Sequence, residues 1–280
     1  MQGLSKRVTS AVVFVIVMVA AIFAGPLPFV VVFGTILLFS VLEYLNLVFT
    51  KLEKPDMIKM FYGIFITVIP FFVAGSVATG IVTAQPEIFI LTFFVVLLST
   101  SLSLIYELST GTKTPVLATG FSLTGLLYIG IPFGLLVFIV FKDQTYHPNI
   151  AMGLLLLHWA NDTGAYFVGS KLGKHKLLPR ISPKKTWEGF FGGIFFAIVA
   201  ANLVALFATG LNLTDWIIIG VIAAVFGALG DLVESMIKRY AGQKDSGNIM
   251  PGHGGFLDRF DAFIFSIPFI AAYLYFTHYF

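Results

Sequence analysis

Long apolar runs separated by short polar stretches account for nearly the whole chain. Crossing a bilayer core takes roughly 20 apolar residues per helix, within a range of about 17–25. Nine segments meet that requirement: 8–24, 27–49, 60–79, 88–106, 115–141, 150–168, 188–208, 214–234 and 261–279. Lipid offers no partner for a free backbone N–H or C=O, so each segment is read as a helix. The expected fold is therefore an all-α polytopic membrane protein with about nine transmembrane helices. The fifth segment is long and holds Pro132, and both one kinked helix and a helix with a re-entrant turn fit it. No soluble domain, linker, repeat or low-complexity tract interrupts the pattern. The chain is read as a single integral membrane domain, 1–280, with N-terminal helices over 1–110 and the chemistry-bearing helices and loops over 111–280. Lys6 and Arg7 before a run ending AIFAGP fit a signal peptide loosely, but in a polytopic chain an uncleaved first span is the preferred reading.

The polar positions orient these spans. Lys and Arg favour the cytoplasmic side of a membrane. With nine spans, 16 of the 17 Lys and Arg residues fall on the side of the N-terminus, and Lys142 alone falls opposite. One extra span would flip every later loop and destroy that bias. The N-terminus is thus expected in the cytoplasm and the C-terminus outside. Only 11% of residues are charged and 58% are hydrophobic, against about a quarter charged in soluble domains. The pI near 9.0 follows from this loop bias and does not call for a nucleic-acid partner. The chain has no cysteine, which excludes disulfides, thiolate metal sites and cysteine nucleophiles.

Charge concentrates in one stretch, Gly230 to Asp261, GDLVESMIKRYAGQKDSGNIMPGHGGFLDRFD. Asp231, Glu234, Ser235 and Lys238 are spaced i, i+3, i+4, i+7 and share one helix face. A salt bridge from Asp231 or Glu234 to Lys238 would account for part of that stripe. Ionisable groups within a membrane helix default to function, however. Asp258 and Asp261 again share a face, at the start of the ninth span, where a helix N-terminus favours carboxylates. Capping needs one carboxylate, and the stretch also holds Asp245. Carboxylates converging among cations suit a hard divalent metal such as Mg²⁺ rather than zinc. His253 reads as a ligand, a phosphate donor or an ordinary loop histidine. Lys238, Arg239, Lys244 and Arg259 lie among Gly242, Gly247, Gly252, Gly254 and Gly255, so exposed N–H groups and cations together suggest a metal–polyphosphate site.

The sixth span and the loop after it belong to the same picture. NDTGAYFVG sets Asn161 and Asp162 deep in an apolar run, and an interhelical hydrogen bond is the plainer account of Asn161. The loop SKLGKHKLLPRISPKKTWEGFFGG carries six cations. Attraction to anionic headgroups, about 1 kcal/mol each, explains Lys171, Lys174 and Lys176. Lys184 and Lys185 are different, being pinned between Pro183 and Thr186, an expected helix cap. Small residues at Gly189, Gly192, Gly193, Gly220, Ala223, Gly227 and Gly230 predict close helix packing. An ion-coupled transporter would place its carboxylates at midplane, whereas here they crowd one face.

The 235–261 stretch closely resembles the signature of phosphatidate cytidylyltransferases, also called CDP-diacylglycerol synthases. Its elements stand here as Ser235, Lys238-Arg239, Lys244-Asp245, Gly247, Pro251, His253-Gly254-Gly255, Asp258-Arg259 and Asp261, with Met250 where Leu, Ile or Phe is usual. NDTGAYFVG and ISPKKTWEG resemble other recurrent segments of that family. The resemblance covers about residues 158–261, and the first 150 residues match only as a generic set of spans. It implies transfer of a cytidylyl group from CTP to phosphatidate with release of pyrophosphate, in phospholipid biosynthesis. It also implies Mg²⁺, one ion or two, a homodimer, and a multi-pass place in the bacterial inner (cytoplasmic) membrane with the active site facing the cytoplasm. On this reading Asp231, Lys244, Asp258 and Asp261 are catalytic. Asp231 and Asp258 hold metal, with Asp261 beside or behind them. Asp162, Lys184, Lys185, Lys238, Arg239, His253, Gly254, Gly255 and Arg259 bind substrate. A CTP-dependent lipid-alcohol kinase is the nearest alternative enzyme.

Overall fold

The computed structural model describes residues 2–50, 52, 56–83, 85–110, 114, 116–142, 144–247 and 254–279, with side chains from Thr9 onward. Helices dominate: α1 (Gln2–Phe23), α2 (Pro26–Phe49), α3 (Met57–Ala78), α4 (Pro86–Thr110), α5 (Leu117–Gly125), α6 (Ile131–Val140), α7 (Pro148–Leu172), α8 (Trp187–Val204), α9 (Leu213–Ala241) and α10 (Leu257–Phe276). Among the described residues seven helices are long and apolar enough to cross a membrane. They are α2, α3, α4, the continuous rod Leu117–Val140, α8, α9 and α10. This is a multi-pass, all-α membrane architecture. Two short antiparallel ribbons were not expected from the sequence, β1–β2 (Phe141–Lys142 with Thr145–Tyr146) and β3–β4 (Lys176–Leu178 with Ser182–Thr186). Both lie between helices, where turn residues separate segments too short to bury a helical face.

The rod Leu117–Val140 resolves the fifth segment as one helix. A π-helical turn, Leu126–Gly130, joins α5 to α6 just before Pro132. Proline has no N–H and its ring crowds the preceding turn. A π turn absorbs one extra residue and lets the helix run on. Gly130 makes this possible, because a Cβ there would drive into the carbonyl oxygen of Thr67 on α3.

Helix ends follow local chemistry. Asn212 and Asp215 form a reciprocal capping box at the start of α9, and left-handed Gly242 ends it. Thr186 caps α8 by accepting from Gly189 N–H, as its position predicted. The ninth apolar segment begins four residues earlier than expected and the eighth helix runs seven residues longer, to Ala241. The stripe Asp231, Glu234, Ser235 and Lys238 therefore lies on one helix, as its spacing predicted, and Arg239 lies on it too.

One large cluster of buried apolar side chains runs through α1, α2, α3 and α5 to α10, and a small second one joins Tyr62, Ile66 and Leu126. The most extensive helix pairs are α7 with α8, α9 with α10, and α8 with α9. Their contacts use the predicted small residues. A Cβ on Gly192 would strike Val168, one on Gly230 would lie 2.5 Å from Phe265 Cβ and 2.7 Å from Asp261 O, and one on Gly220 would lie 3.2 Å from Ala197 O. Gly230 therefore sets how closely α10 approaches α9, and with it the spacing of their carboxylates.

Gly130→Ala is expected to lower the thermal unfolding midpoint in detergent, since overpacking costs about 1–3 kcal/mol. Gly120→Ala on α5, where an added methyl meets nothing within 4 Å, is expected to leave the midpoint unchanged or raise it. Equal responses at both positions would contradict the close α3 contact.

Candidate active site

A cavity of about 490 Å³ opens where α7, the β3–β4 ribbon, α8, α9 and α10 meet. Its size is ordinary for a small-molecule site. α7 lines it with Asn161, Asp162 and Tyr166, the ribbon with Lys184 and Lys185, and α9 with Asp231. Each wall has a reason to be there. The ribbon is held down by Glu188 in the first turn of α8, which accepts from the N–H groups of Lys174 and His175 and pairs with His175 Nδ1 at 2.7 Å. Trp187 N–H closes on His175 O at 2.9 Å. The two lysines thereby leave a stiff strand rather than a free loop.

Lys185 reaches across the cavity to Asp231. Nζ lies 2.7 Å from Asp231 Oδ2 and donates to Ala228 O at 3.3 Å. Ser235 Oγ donates to the other oxygen of Asp231 at 3.2 Å. Asp261 is buried on the adjoining turn of α10, within electrostatic reach of Asp231, Lys185 and Asp162. Asp162 and Asp231 at the cavity wall, and buried Asp261, thus have Lys184, Lys185 and Arg259 near them. Acids gathered in low dielectric are costly to ionise together unless cations accompany them.

Asp258 is placed differently. Its Oδ1 takes Lys238 Nζ at 2.6 Å. Its Oδ2 accepts from Ser246 N–H at 2.9 Å and Gly255 N–H at 2.9 Å, with Ser246 Oγ at 3.0 Å. Lys238 also pairs with Glu234, one helical turn back and fully buried. This is the i, i+4 pair weighed from the sequence, while Asp231 finds its lysine on another element. The expected trio Asp231, Asp258 and Asp261 is therefore not one ligand set here. Among the described residues, no three His, Asp or Glu side chains close around a common point.

The remaining expected residues separate in the same way. Arg239 is exposed and donates to Gln243 O at 3.3 Å, at the end of α9. Lys244 is exposed on the following loop. Arg259 lines a second, small cavity of about 30 Å³ together with Asp162 and His158. His253 lies outside the described residues. Gly254 has φ +82, which only glycine adopts freely, and a Cβ on it would lie 2.6 Å from Asp258 Oδ2. Gly254 and Gly255 pack against the protein's own carboxylates. Sequence reasoning missed Glu43 on α2, whose carboxylate reaches the start of α10. A lone acid in an apolar span was the available signal.

The donor set around the large cavity consists of carboxylates and a lysine, with no sulfur. It fits a hard divalent ion, which usually takes one or two protein carboxylates and fills its remaining positions with water and substrate phosphate.

Lys238→Met should lower stability in detergent by about 3–5 kcal/mol, because it strands the buried Glu234 carboxylate and takes one donor from half-buried Asp258. Adding Glu234→Gln should recover part of that loss in the same unfolding assay. No recovery would mean that the pair is not coupled.

The family model described as "Cytidylyltransferase family" matches residues 5–277. The phosphatidate cytidylyltransferase of Staphylococcus aureus (strain COL) is 35% identical over 264 residues, covering 94% of this chain and 95% of that one. The phosphatidate cytidylyltransferase of Bacillus subtilis (strain 168) is 38% identical over 274 residues, covering 96% and 97%. The match takes in nearly the whole chain, and the chain belongs to the cytidylyltransferase family.

Proposed function

We propose that the protein is a phosphatidate cytidylyltransferase, joining CTP and phosphatidate into CDP-diacylglycerol with release of pyrophosphate. The observation that carries this reading is the Lys185–Asp231 pair at a cavity that Asp162 and Lys184 also line, with Asp261 within electrostatic reach. It stands in a chain matched over almost its full length by phosphatidate cytidylyltransferases.

The chemistry suits these residues. An oxygen of the phosphatidate phosphate is already anionic, so it attacks the α-phosphorus of CTP without a strong general base. The bond from that phosphorus to the bridging oxygen breaks, and its electron pair leaves on pyrophosphate. Bringing one anion onto another is the obstacle, and positioning with charge neutralisation supplies most of the catalysis in such transfers. Lys184 and Lys185 stand on a braced strand at the cavity wall, where they orient and neutralise triphosphate oxygens. Asp231 holds the Lys185 ammonium in place. Asp162 and Asp231, which line the cavity, would hold Mg²⁺, with buried Asp261 supporting them. When bound, that ion would neutralise charge on the triphosphate and on departing pyrophosphate. Asp258 works from behind, fixing Lys238 and the loop before α10.

The same reading includes the finer topology. Nine spans place the N-terminus, the β3–β4 ribbon and the loop after α9 in the cytoplasm of a bacterial inner membrane, and the Lys and Arg bias supports it. The lipid phosphate then enters from the inner leaflet and the nucleotide from the cytosol. A soluble enzyme would instead have to expose the acyl chains, at about 0.8 kcal/mol per CH₂.

Purified protein given phosphatidate, Mg²⁺ and CTP labelled in both the cytosine ring and the γ-phosphate should move the cytidine label to lipid and release pyrophosphate in equal amount. Appearance of γ-label on lipid, with CDP released, would mean a kinase. Asp231→Asn should lower turnover by orders of magnitude in protein that still inserts and folds, and near-normal turnover would remove Asp231 from the site. A reporter fused after Phe280 should read as external, and a cytoplasmic signal would overturn the nine-span topology.

A further inference from the structure

Glu43 stands 4% exposed near the end of α2, more than 200 residues before the signature it touches. Its Oε1 accepts from Phe256 N–H at 3.1 Å and its Oε2 from Leu257 N–H at 2.9 Å. These are the first amides of α10, a helix whose own N-cap, Phe256, has no side chain able to cap it. Glu43 thus caps α10 from another helix, where orphan N–H groups and the helix dipole both favour a carboxylate. Ser246 Oγ lies 3.1 Å from Glu43 Oε2 and 3.0 Å from Asp258 Oδ2, so one O–H serves two carboxylates.

The glycines of the signature fit around this group. A Cβ on Gly247 would lie 2.5 Å from Glu43 Oε1, and one on Gly255 would run into Glu43 Oε2 and Ser246 Oγ. Both ends of the loop are therefore cleared for a carboxylate from α2. Glu43, Ser246 and Asp258 form a chain that runs on to Lys238 and Glu234. A group that served only to hold α2 in the bundle would not need to be threaded between two loop glycines.

We infer that Glu43 is a positioning residue for the cytidylyl transfer: by tying the end of α2 to Ser246 and the first amides of α10, it fixes where Asp258 and Asp261 stand. The inference rests on the function proposed above. Conversion of CTP and phosphatidate by the unaltered protein is its baseline, and absence of that conversion would count against the function and not against Glu43.

The test is a kinetic double-mutant cycle in detergent-purified protein, with kcat and the KM for CTP measured separately and scaled to folded protein. Glu43→Gln keeps size but sets an NH₂ group against donors. It should lower kcat by about 30-fold or more, a loss of about 2 kcal/mol of transition-state stabilisation, with a smaller change in KM. Ser246→Ala should lower kcat less, and the double variant should fall well short of the product of the two effects, because both break one device. Glu107→Gln is the control: Glu107 is a buried carboxylate that caps α5 through Val116 and Thr119 N–H groups and should keep kcat. Unchanged kcat in Glu43→Gln, independent multiplying effects, or an equal loss in Glu107→Gln would each overturn the inference. If Glu43→Gln yields no folded protein, Ser246→Ala decides alone: normal kcat there would overturn it and a lowered kcat with unchanged stability would uphold it.

Discussion

The close approach of α9 and α10 is the constraint on which the site depends. Gly230 has no side chain, so Phe265 and the backbone at Asp261 settle against it. That contact brings acids from two helices to neighbouring turns in surroundings that solvate them poorly. Each must then find a donor, because an uncompensated charge in an apolar medium is costly. Asp231 takes Lys185 from the β3–β4 ribbon, and Asp258 takes Lys238 and two loop amides. The Lys185–Asp231 pair adds to the hold that Glu188 has on the ribbon, and Asp258 fixes Ser246 and Gly255 before α10.

Two clusters with different work result. One, around Asp162, Asp231 and Lys185, borders an open cavity, with Asp261 buried beside it. The other, around Glu43, Glu234, Ser246, Lys238 and Asp258, is nearly closed, and its acids are met by Lys238, Ser246 and main-chain amides. The first is open to a ligand, and the geometry of the second is that of a brace. A charged site at the ends of membrane helices needs both, since lipid cannot supply the hydrogen bonds that hold a soluble active site in shape.

Much of this was legible in the chain. Apolar runs long enough to cross a bilayer are matched closely by helices, because a backbone in lipid has few other choices. The small residues on α8 and α9 sit at tight helix contacts, and Thr186 caps α8 as its place before an apolar run suggests. The acidic stretch and the NDTG and PKKT segments do meet around one cavity, but which acid pairs with which lysine was not readable. Lys185 and Asp231 are 46 positions apart, and only folding decides that they touch. Glu43 passed as part of an ordinary span because its partners are main-chain amides, which leave no mark in a side-chain pattern. The glycines beside His253 looked like room for phosphate, whereas Gly254 and Gly255 make room for the protein's own carboxylates.

On the proposed function, Asp162 on α7 and Asp231 on α9, which line the cavity, bind a divalent ion together with the nucleotide, and buried Asp261 on α10 supports them. Titrating Mn²⁺ into the protein with and without CTP, read by paramagnetic resonance, is the decisive measurement. Unaltered protein should bind Mn²⁺ more tightly when CTP is present, and Asp231→Asn and Asp261→Asn should each weaken that binding strongly. Binding by both variants at the unaltered affinity would contradict the account.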